Sequence, residues 1–290
     1  MKQDFTVVCV PFESGCDREG ASLAPRRLVD KCELARLGEV VCLDVQNDSR
    51  DIESDGVKNL DAVRDMCSAL RDEVARLMAS GKRVLTIGGD HSIALGSIAG
   101  VLEQNANVGV IWFDAHGDIN TEATSPSANA HGMPVAVLMG LCESGLNEIA
   151  RVRLKPENIF WVGARDWDAG EKETIARLGI AENVYSTERV HEMGMAAVME
   201  DIRRKMEVQG IESMHLSFDI DGMDPLIVWA TGTRVENGLI QEDLEAFVEG
   251  LRRLPEMKSM DFVEYNPLMD DEKKRTGKWC VETLRRIYDL

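Results

Sequence analysis

The segment RVLTIGGDHSIALGSIAGVLEQNANVGVIWFDAHGD, residues 83–118, decides the architecture. Two runs rich in β-branched and aromatic residues, 83–88 and 108–113, read as strands, and the stretch 92–103 between them reads as a helix. Strand, helix and strand in succession is the repeating unit of a parallel sheet. Each strand ends in side chains that an apolar core does not accept: Asp90 and His91 after the first, Asp114, His116 and Asp118 after the second.

The same alternation runs outward in both directions. Strand-like runs recur at 5–10, 40–45, 158–163, 214–218 and 257–263. Helical patterns recur at 24–36, 57–78, 195–208, 241–253 and 273–288, the clearest being 57–78, where Val57, Leu60, Val63, Cys67, Leu70, Val74 and Leu77 step by three or four. No internal repeat, low-complexity tract or linker divides the chain. The expectation is an α/β fold: a single three-layer αβα domain over 1–290, with a mostly parallel sheet of about eight strands and helices on both faces. In such a sheet ligands bind at the carboxyl edge, where the aperiodic stretches 114–131 and 219–240 begin.

Composition narrows the function. Acidic residues number 51 against 33 basic ones, a net charge of −18 that repels phosphate backbones and anionic lipid, so neither nucleic acid nor a membrane is expected as partner. With 44% hydrophobic residues the chain can fill a core, which excludes disorder as the main state. No apolar run approaches the roughly 18 residues of a spanning helix, and the opening MKQDFTVVCVPF reads as a first strand rather than a signal peptide. Seven scattered cysteines without a CxxC pair point to reduced thiols and a cytoplasmic location.

Four strand ends carry acid or imidazole: Asp90-His91, Asp114 to Asp118, Asp219-Ile220-Asp221 and Glu264. If the strands are parallel, all four lie on one edge. In extended chain, residues two apart face the same way, so Asp114, His116 and Asp118 would share one volume, as would Asp219 and Asp221. Taken singly, Asp90 with Ser92 fits a helix cap and 221–225 fits a turn. Taken together, four carboxylates and two histidines at the ends of apolar strands would repel and desolvate one another unless cations held them. Two divalent ions about 3.5 to 4 Å apart would balance Asp114, Asp118, Asp219 and Asp221 and generate a hydroxide nucleophile at neutral pH. Mostly oxygen ligands with one imidazole per ion suit Mn²⁺ better than Zn²⁺ or Mg²⁺.

Six segments, GGDHSIALGSIAG (88–100), WFDAHGDINT (112–121), SPSANAHGMP (125–134), GARDWDAGE (163–171), SFDIDGMDP (217–225) and VEYNPLMD (263–270), resemble in order and spacing the signatures of the ureohydrolases, specifically the arginase family. The resemblance implies two Mn²⁺ per chain. His91, Asp114, Asp118 and Asp219 would hold one ion and His116, Asp114, Asp219 and Asp221 the other. It implies that a hydroxide bridging the ions attacks the guanidinium of L-arginine to give L-ornithine and urea, with Asp118 among the catalytic residues. It further implies that His131 shuttles protons, that Glu264 orients the guanidinium, and that Asn120, Ser127, Asn129 and Thr233, with Asp168 and Glu171, bind the rest of the substrate. A homo-oligomer, trimer or hexamer, is implied as well.

The chemistry agrees with that resemblance. A guanidinium stays protonated and is attacked slowly by water, a proton must reach the departing amine, and a fixed carboxylate complements the guanidinium through paired hydrogen bonds. Agmatinase, formimidoylglutamase or guanidino-acid hydrolase activity is the alternative within the family, and a non-catalytic member is the alternative outside catalysis. Binuclear phosphoesterases share the D-x-H opening but use later GD and GNH segments, and this chain has no GNH. The loop LIVWATGTRVENGLI (226–240) departs from the family pattern, and GCDREGASLAP (15–25) matches it loosely. His191 and His215 lack acidic sequence neighbours in the right places and read as structural, Arg165 with Asp166 as an internal ion pair, Cys142 and Cys280 as core or surface thiols, and DDEKKR (270–275) as the solvated start of the last helix.

Overall fold

The computed structural model describes residues 5–47 and 53–290; positions 1–4, the start of the opening segment, lie outside the described residues. The chain runs through β1 (Phe5–Cys9), α1 (Ala24–Lys31), β2 (Gly38–Cys42), β3 (Glu53–Ser54), β4 (Val57–Lys58), α2 (Leu60–Ala79), β5 (Arg83–Ile87), α3 (Ile93–Gln104) and β6 (Gly109–Phe113). It continues through α4 (Pro134–Leu138), β7 (Ile159–Val162), α5 (Ala169–Leu178), β8 (Val184–Tyr185), α6 (Thr187–Met193) and α7 (Met195–Val208). It ends with β9 (Ser213–Asp219), α8 (Gln241–Leu251), β10 (Glu256–Val263) and α9 (Arg275–Tyr288).

Eight strands form one sheet in the order β2-β1-β5-β10-β9-β6-β7-β8, parallel at every pairing. Strands buried on both faces send alternate side chains to opposite cores. In β6, Val110 and Trp112 join the apolar cluster under α2, α3 and α4, whereas Ile111 and Phe113 join the one under α1, α7, α8 and α9. On that second face Phe113, Phe218 and Phe262 stack across three adjacent strands, with centroid distances of 4.3 and 5.3 Å. Each buried ring contributes about 2 to 3 kcal/mol of apolar burial, which fixes the register of β6, β9 and β10 where it matters.

The strand order explains the site. After β5 the chain leaves two positions empty and lays down β6; β9 and β10 fill the gap later. The four central strands β5, β10, β9 and β6 therefore end side by side, and their carboxyl ends carry His91, Glu264, Asp219 and Asp114. Such a crevice at a reversal of strand order is where ligands bind in open α/β sheets. The two glycines that precede Asp90 are required by close packing: a Cβ on Gly89 would collide with the Phe12 carbonyl oxygen, and one on Gly88 would meet Val263 at 2.9 Å.

Local boundaries differ from expectation where the backbone turns left-handed. Asn59 has φ 52, so Val57 belongs to the β3-β4 hairpin and the helix expected from 57 begins at Leu60. Glu33 has φ 54 and splits the expected helix 24–36 into α1 and a 3-10 turn. The strand expected at 40–45 ends at Cys42. All of the DDEKKR run but Arg275, the first residue of α9, precedes the helix: Lys274 has φ 51, and the half-buried Asp270 accepts the main-chain N–H groups of Thr276 and Gly277.

Candidate active site

Asp114 follows β6 directly, and its two oxygens are tied down from its own strand end. Trp112 Nε1 donates to Oδ2 at 3.1 Å and the His116 amide to Oδ1 at 2.7 Å. Asp219 closes β9 and accepts the Asp221 amide at 2.8 Å, while Asp221 accepts the Ala115 amide and, at 3.0 Å, the Thr233 hydroxyl. His91 stacks on Trp112 with 4.3 Å between centroids, and its Nε2 lies 2.8 Å from Ser217 Oγ.

These supports aim six side chains at one volume. His91 Nδ1 lies 2.9 Å from Asp114 Oδ2 and 3.2 Å from both Asp118 Oδ2 and Asp219 Oδ2. His116 Nδ1 lies 3.3 Å from Asp114 Oδ1 and 3.3 Å from Asp221 Oδ2. The two groups, His91-Asp114-Asp219 and Asp114-His116-Asp221, share Asp114 and are sized to hold cations. His91 Nδ1 is buried and makes no hydrogen bond despite three carboxylate oxygens around it. A buried polar atom without a partner is costly, and a nitrogen lone pair converging with carboxylate oxygens fits a divalent metal.

The expected geometry holds for the residues and fails in part for the reason. Asp114, His116 and Asp118 do converge, but Asp118 has φ 50 and Asp221 sits in the 3-10 turn Ile220–Gly222, so turns rather than extended alternation bring them in.

Charge follows from this crowding. Burial pushes Asp219 well above the usual carboxylate range, with Asp221 and Asp114 adding repulsion, and lifts Asp118 to about 6 with help from Asp114. For His91, burial opposes the charged form, yet Asp114, Asp118 and Asp219 outweigh it and hold the imidazole well above its ordinary value. His116 is likewise raised, its burial outweighed by Asp221 and Asp114. Without cations, the cluster retains protons instead.

Above the cluster lies a cavity of about 120 Å³ walled by His91, His116, Asp118 and Asp219, with Asn120, Ser127, His131, Asp168, Glu171 and Thr233. Asp114 and Asp221 are buried and do not line it. Asn120 Nδ2 donates to Asp168 Oδ2 at 2.8 Å. His131 stands 3.5 Å from Glu264; burial opposes its charge, but that carboxylate raises it to about 9. Glu264 Oε1 also accepts the His91 amide at 2.8 Å.

Three residues sit differently from expectation. Glu171 turns both oxygens onto main-chain amides, of Ile119 and Asp168, and so anchors the start of α5 at the cavity wall. Asn129 is buried outside the wall, and Ser127 Oγ accepts its amide. Arg165 forms no ion pair with Asp166; its guanidinium donates to carbonyl oxygens of Gly163, Asp221, Gly222, Met223, Val235 and Glu236. An exposed carboxylate is a poor competitor for a half-buried guanidinium surrounded by carbonyls.

A sequence model of the arginase family matches residues 3–288. The chain belongs to the arginase family. It is 38% identical over 299 aligned residues to the arginase of Brevibacillus brevis, covering 99% of this chain and 98% of that one. Among solved structures, the Entamoeba histolytica arginase in complex with L-ornithine superposes with a TM-score of 0.91 at 34% identity over the full length of both chains. The native arginase of Bacillus caldovelox superposes with a TM-score of 0.91 at 33% identity, covering 100% of this chain and 99% of that one. The protein is thus an arginase-type hydrolase acting on C–N bonds of linear amidines.

Against the arginase pattern, the departing loop 226–240 is firmly held. Arg165 grips its far end, the Asp224 amide donates to the Leu239 carbonyl, the Leu239 amide donates to the Gly222 carbonyl, the Asp224 carboxylate accepts the Gly238 amide, and Arg275 lies 4.2 Å over the Trp229 ring. The loosely matching N-terminal loop is pinned to the site as well: the Gly15 amide donates to Asp90 at 2.7 Å and the Gly15 carbonyl accepts the His131 amide. Sequence reasoning missed Ser217 and Trp112. Each lies two residues before a metal-site aspartate, so the period of two along β9 and β6 carried the signal. His191 and His215 do find carboxylates in space, Asp243 and Asp261, through partners remote in sequence.

Proposed function

We propose that the chain hydrolyses L-arginine to L-ornithine and urea with two Mn²⁺ per chain. One ion would be held by His91, Asp114, Asp118 and Asp219, the other by His116, Asp114, Asp219 and Asp221. The observation that carries this reading is the buried His91 Nδ1 converging on the carboxylate oxygens of three aspartates at 2.9 to 3.2 Å. When bound, the ions supply a nucleophile from water at neutral pH and cancel the charge of the aspartates.

The chain's own residues do the remainder. Glu264, its Oε2 not engaged by His91 or His131, accepts hydrogen bonds from the substrate guanidinium and fixes its plane. His131, kept protonated at neutral pH by Glu264, delivers a proton to the departing amine. Asp168, held by Asn120, meets the α-ammonium, and Asn120 with Ser127 meets the α-carboxylate. Glu171 serves the same end of the substrate by positioning Asp168. The 290 residues act as one domain, assembled in the cytoplasm into a trimer or hexamer, as the family resemblance implies.

Substrate comparison tests the reading. Agmatine lacks the α-carboxylate, and a site that must leave polar groups unpaired rejects such an analogue strongly. The kcat/KM for L-arginine should exceed that for agmatine by at least about 10³, with Asp168→Ala narrowing the gap. Comparable turnover of both by the wild type would assign a different guanidino substrate to the same chemistry.

A further inference from the structure

Away from the aspartate cluster, α1 and α9 flank a second cavity of about 730 Å³. Arg27 and Lys31 reach it from α1, Lys273 and Lys274 from the segment before α9, and Lys278 and Arg285 from α9 itself. Only Asp30 and Glu282 oppose them on the wall. An excess of positive charge on one concave face is unexpected in a chain of net charge −18.

These cations also lack the carboxylate partners that many others in the chain have. Elsewhere Arg64 sits on Asp61, Arg76 on Glu73, Arg203 on Glu200, Arg252 on Asp289 and Arg286 on Glu245. Among the described residues, Arg27, Lys31, Lys273, Lys274 and Lys278 form no ion pair. Arg285 donates only to the Lys31 carbonyl, at 3.4 Å. Like charges lining one cavity repel, and Asp30 and Glu282 on the wall offset only part of the excess.

Size and shape choose the occupant. The volume falls in the range of about 300 to 1,000 Å³ typical of small-molecule sites, and Leu28 and Val281 give it an apolar floor. A long polyanion would extend beyond the cavity into the negative field of the rest of the chain, which acts over a Debye length of about 10 Å. The amides that open α9 are already taken by Asp270, so recognition falls to ammonium and guanidinium groups, which favour phosphate oxygens. We propose that this cavity binds a compact anion carrying two or more phosphate groups, at a site separate from the catalytic one.

Calorimetric titration of the full-length, Mn²⁺-loaded protein with pyrophosphate, and separately with adenosine triphosphate, tests this. Chelation of Mn²⁺ contributes equally to every variant, so the difference between variants reports the cavity. The wild type should bind with a Kd below about 1 mM that weakens as salt rises. Lys274→Glu/Lys278→Glu, and independently Lys31→Glu on the opposite wall, should weaken binding by about tenfold or more, while Lys274→Arg/Lys278→Arg retains it. Tighter binding of the triphosphate would assign a nucleotide, and equal binding the diphosphate group alone. Identical titrations for wild type and both glutamate variants would overturn the proposal. So would charge reversal that alters only the sedimenting mass, which would make this face a contact between copies of the chain.

Discussion

His131 stands close to Glu264 but outside both groups of cation-binding side chains, so its loss separates proton transfer from metal binding. His131→Asn should lower kcat by about 10² to 10⁴, the range for removal of a general acid or base, and leave the metal content unchanged. Steady-state urea release beside elemental analysis checks both halves; full activity, or lost metal, would reject the role. The residues of this site were legible because chemistry constrains residue type at strand ends: acid and imidazole clustered after apolar runs are too costly to bury unless they hold a cation or a substrate. Glu171 and Arg165 were harder to read. Their partners are main-chain atoms of Ile119, Asp221 and Val235, groups that every residue carries and no sequence advertises.

Strand β9 shows how an element does more than its visible motif. Asp219 and Asp221 announce themselves, but Ser217, on the same face two residues earlier, holds Nε2 of His91 at 2.8 Å and leaves Nδ1 for the cluster. Partners that fix a ligand's tautomer typically govern 10- to 100-fold of metal affinity, that is, about 1.4 to 3 kcal/mol. Ser217→Ala should therefore weaken Mn²⁺ binding by about 10- to 100-fold with the sheet intact, read by competition with a chelating dye. Unchanged affinity would mean that the Trp112 stack alone orients the ring. Long elements were predictable from periodicity, α7 at 195–208 among them. Short ones were not: β8 has two residues and α4 five, too few to display a period. The sequence DAGE that opens α5 advertises carboxylates for a site, which masks its value as a helix start.

For the whole molecule, the buried acids make stability depend on pH and on metal together. Burial, aided by Glu264 and by Asp114 respectively, lifts Asp90 and Asp118 to about 6, and burial lifts Glu171 to about 7. All three exceed unfolded values near 4, so their contribution is fully present below about pH 4 and is lost as pH rises through about 6 to 7. His131, raised to about 9, contributes below about 6.5 and loses that contribution as pH rises through 9. Both sets act in one direction. The metal-free protein should lose thermal stability from pH 5.5 to 8, whereas the gain from Mn²⁺, which competes with those protons, should grow over the same window. At an ion concentration a thousandfold above Kd the gain reaches about 4 kcal/mol. A Tm of the metal-free chain that rises with pH across this window would contradict the charge assignments.

The central claim is that the ends of β5, β6 and β9 form one binuclear metal site, and metal stoichiometry tests it most directly. After equilibration with Mn²⁺ and removal of free ion, elemental analysis should give close to two ions per wild-type chain. Asp219→Ala, which removes a carboxylate proposed to bridge both ions, should retain clearly fewer. Two ions retained by that variant, or none by the wild type, would contradict the account.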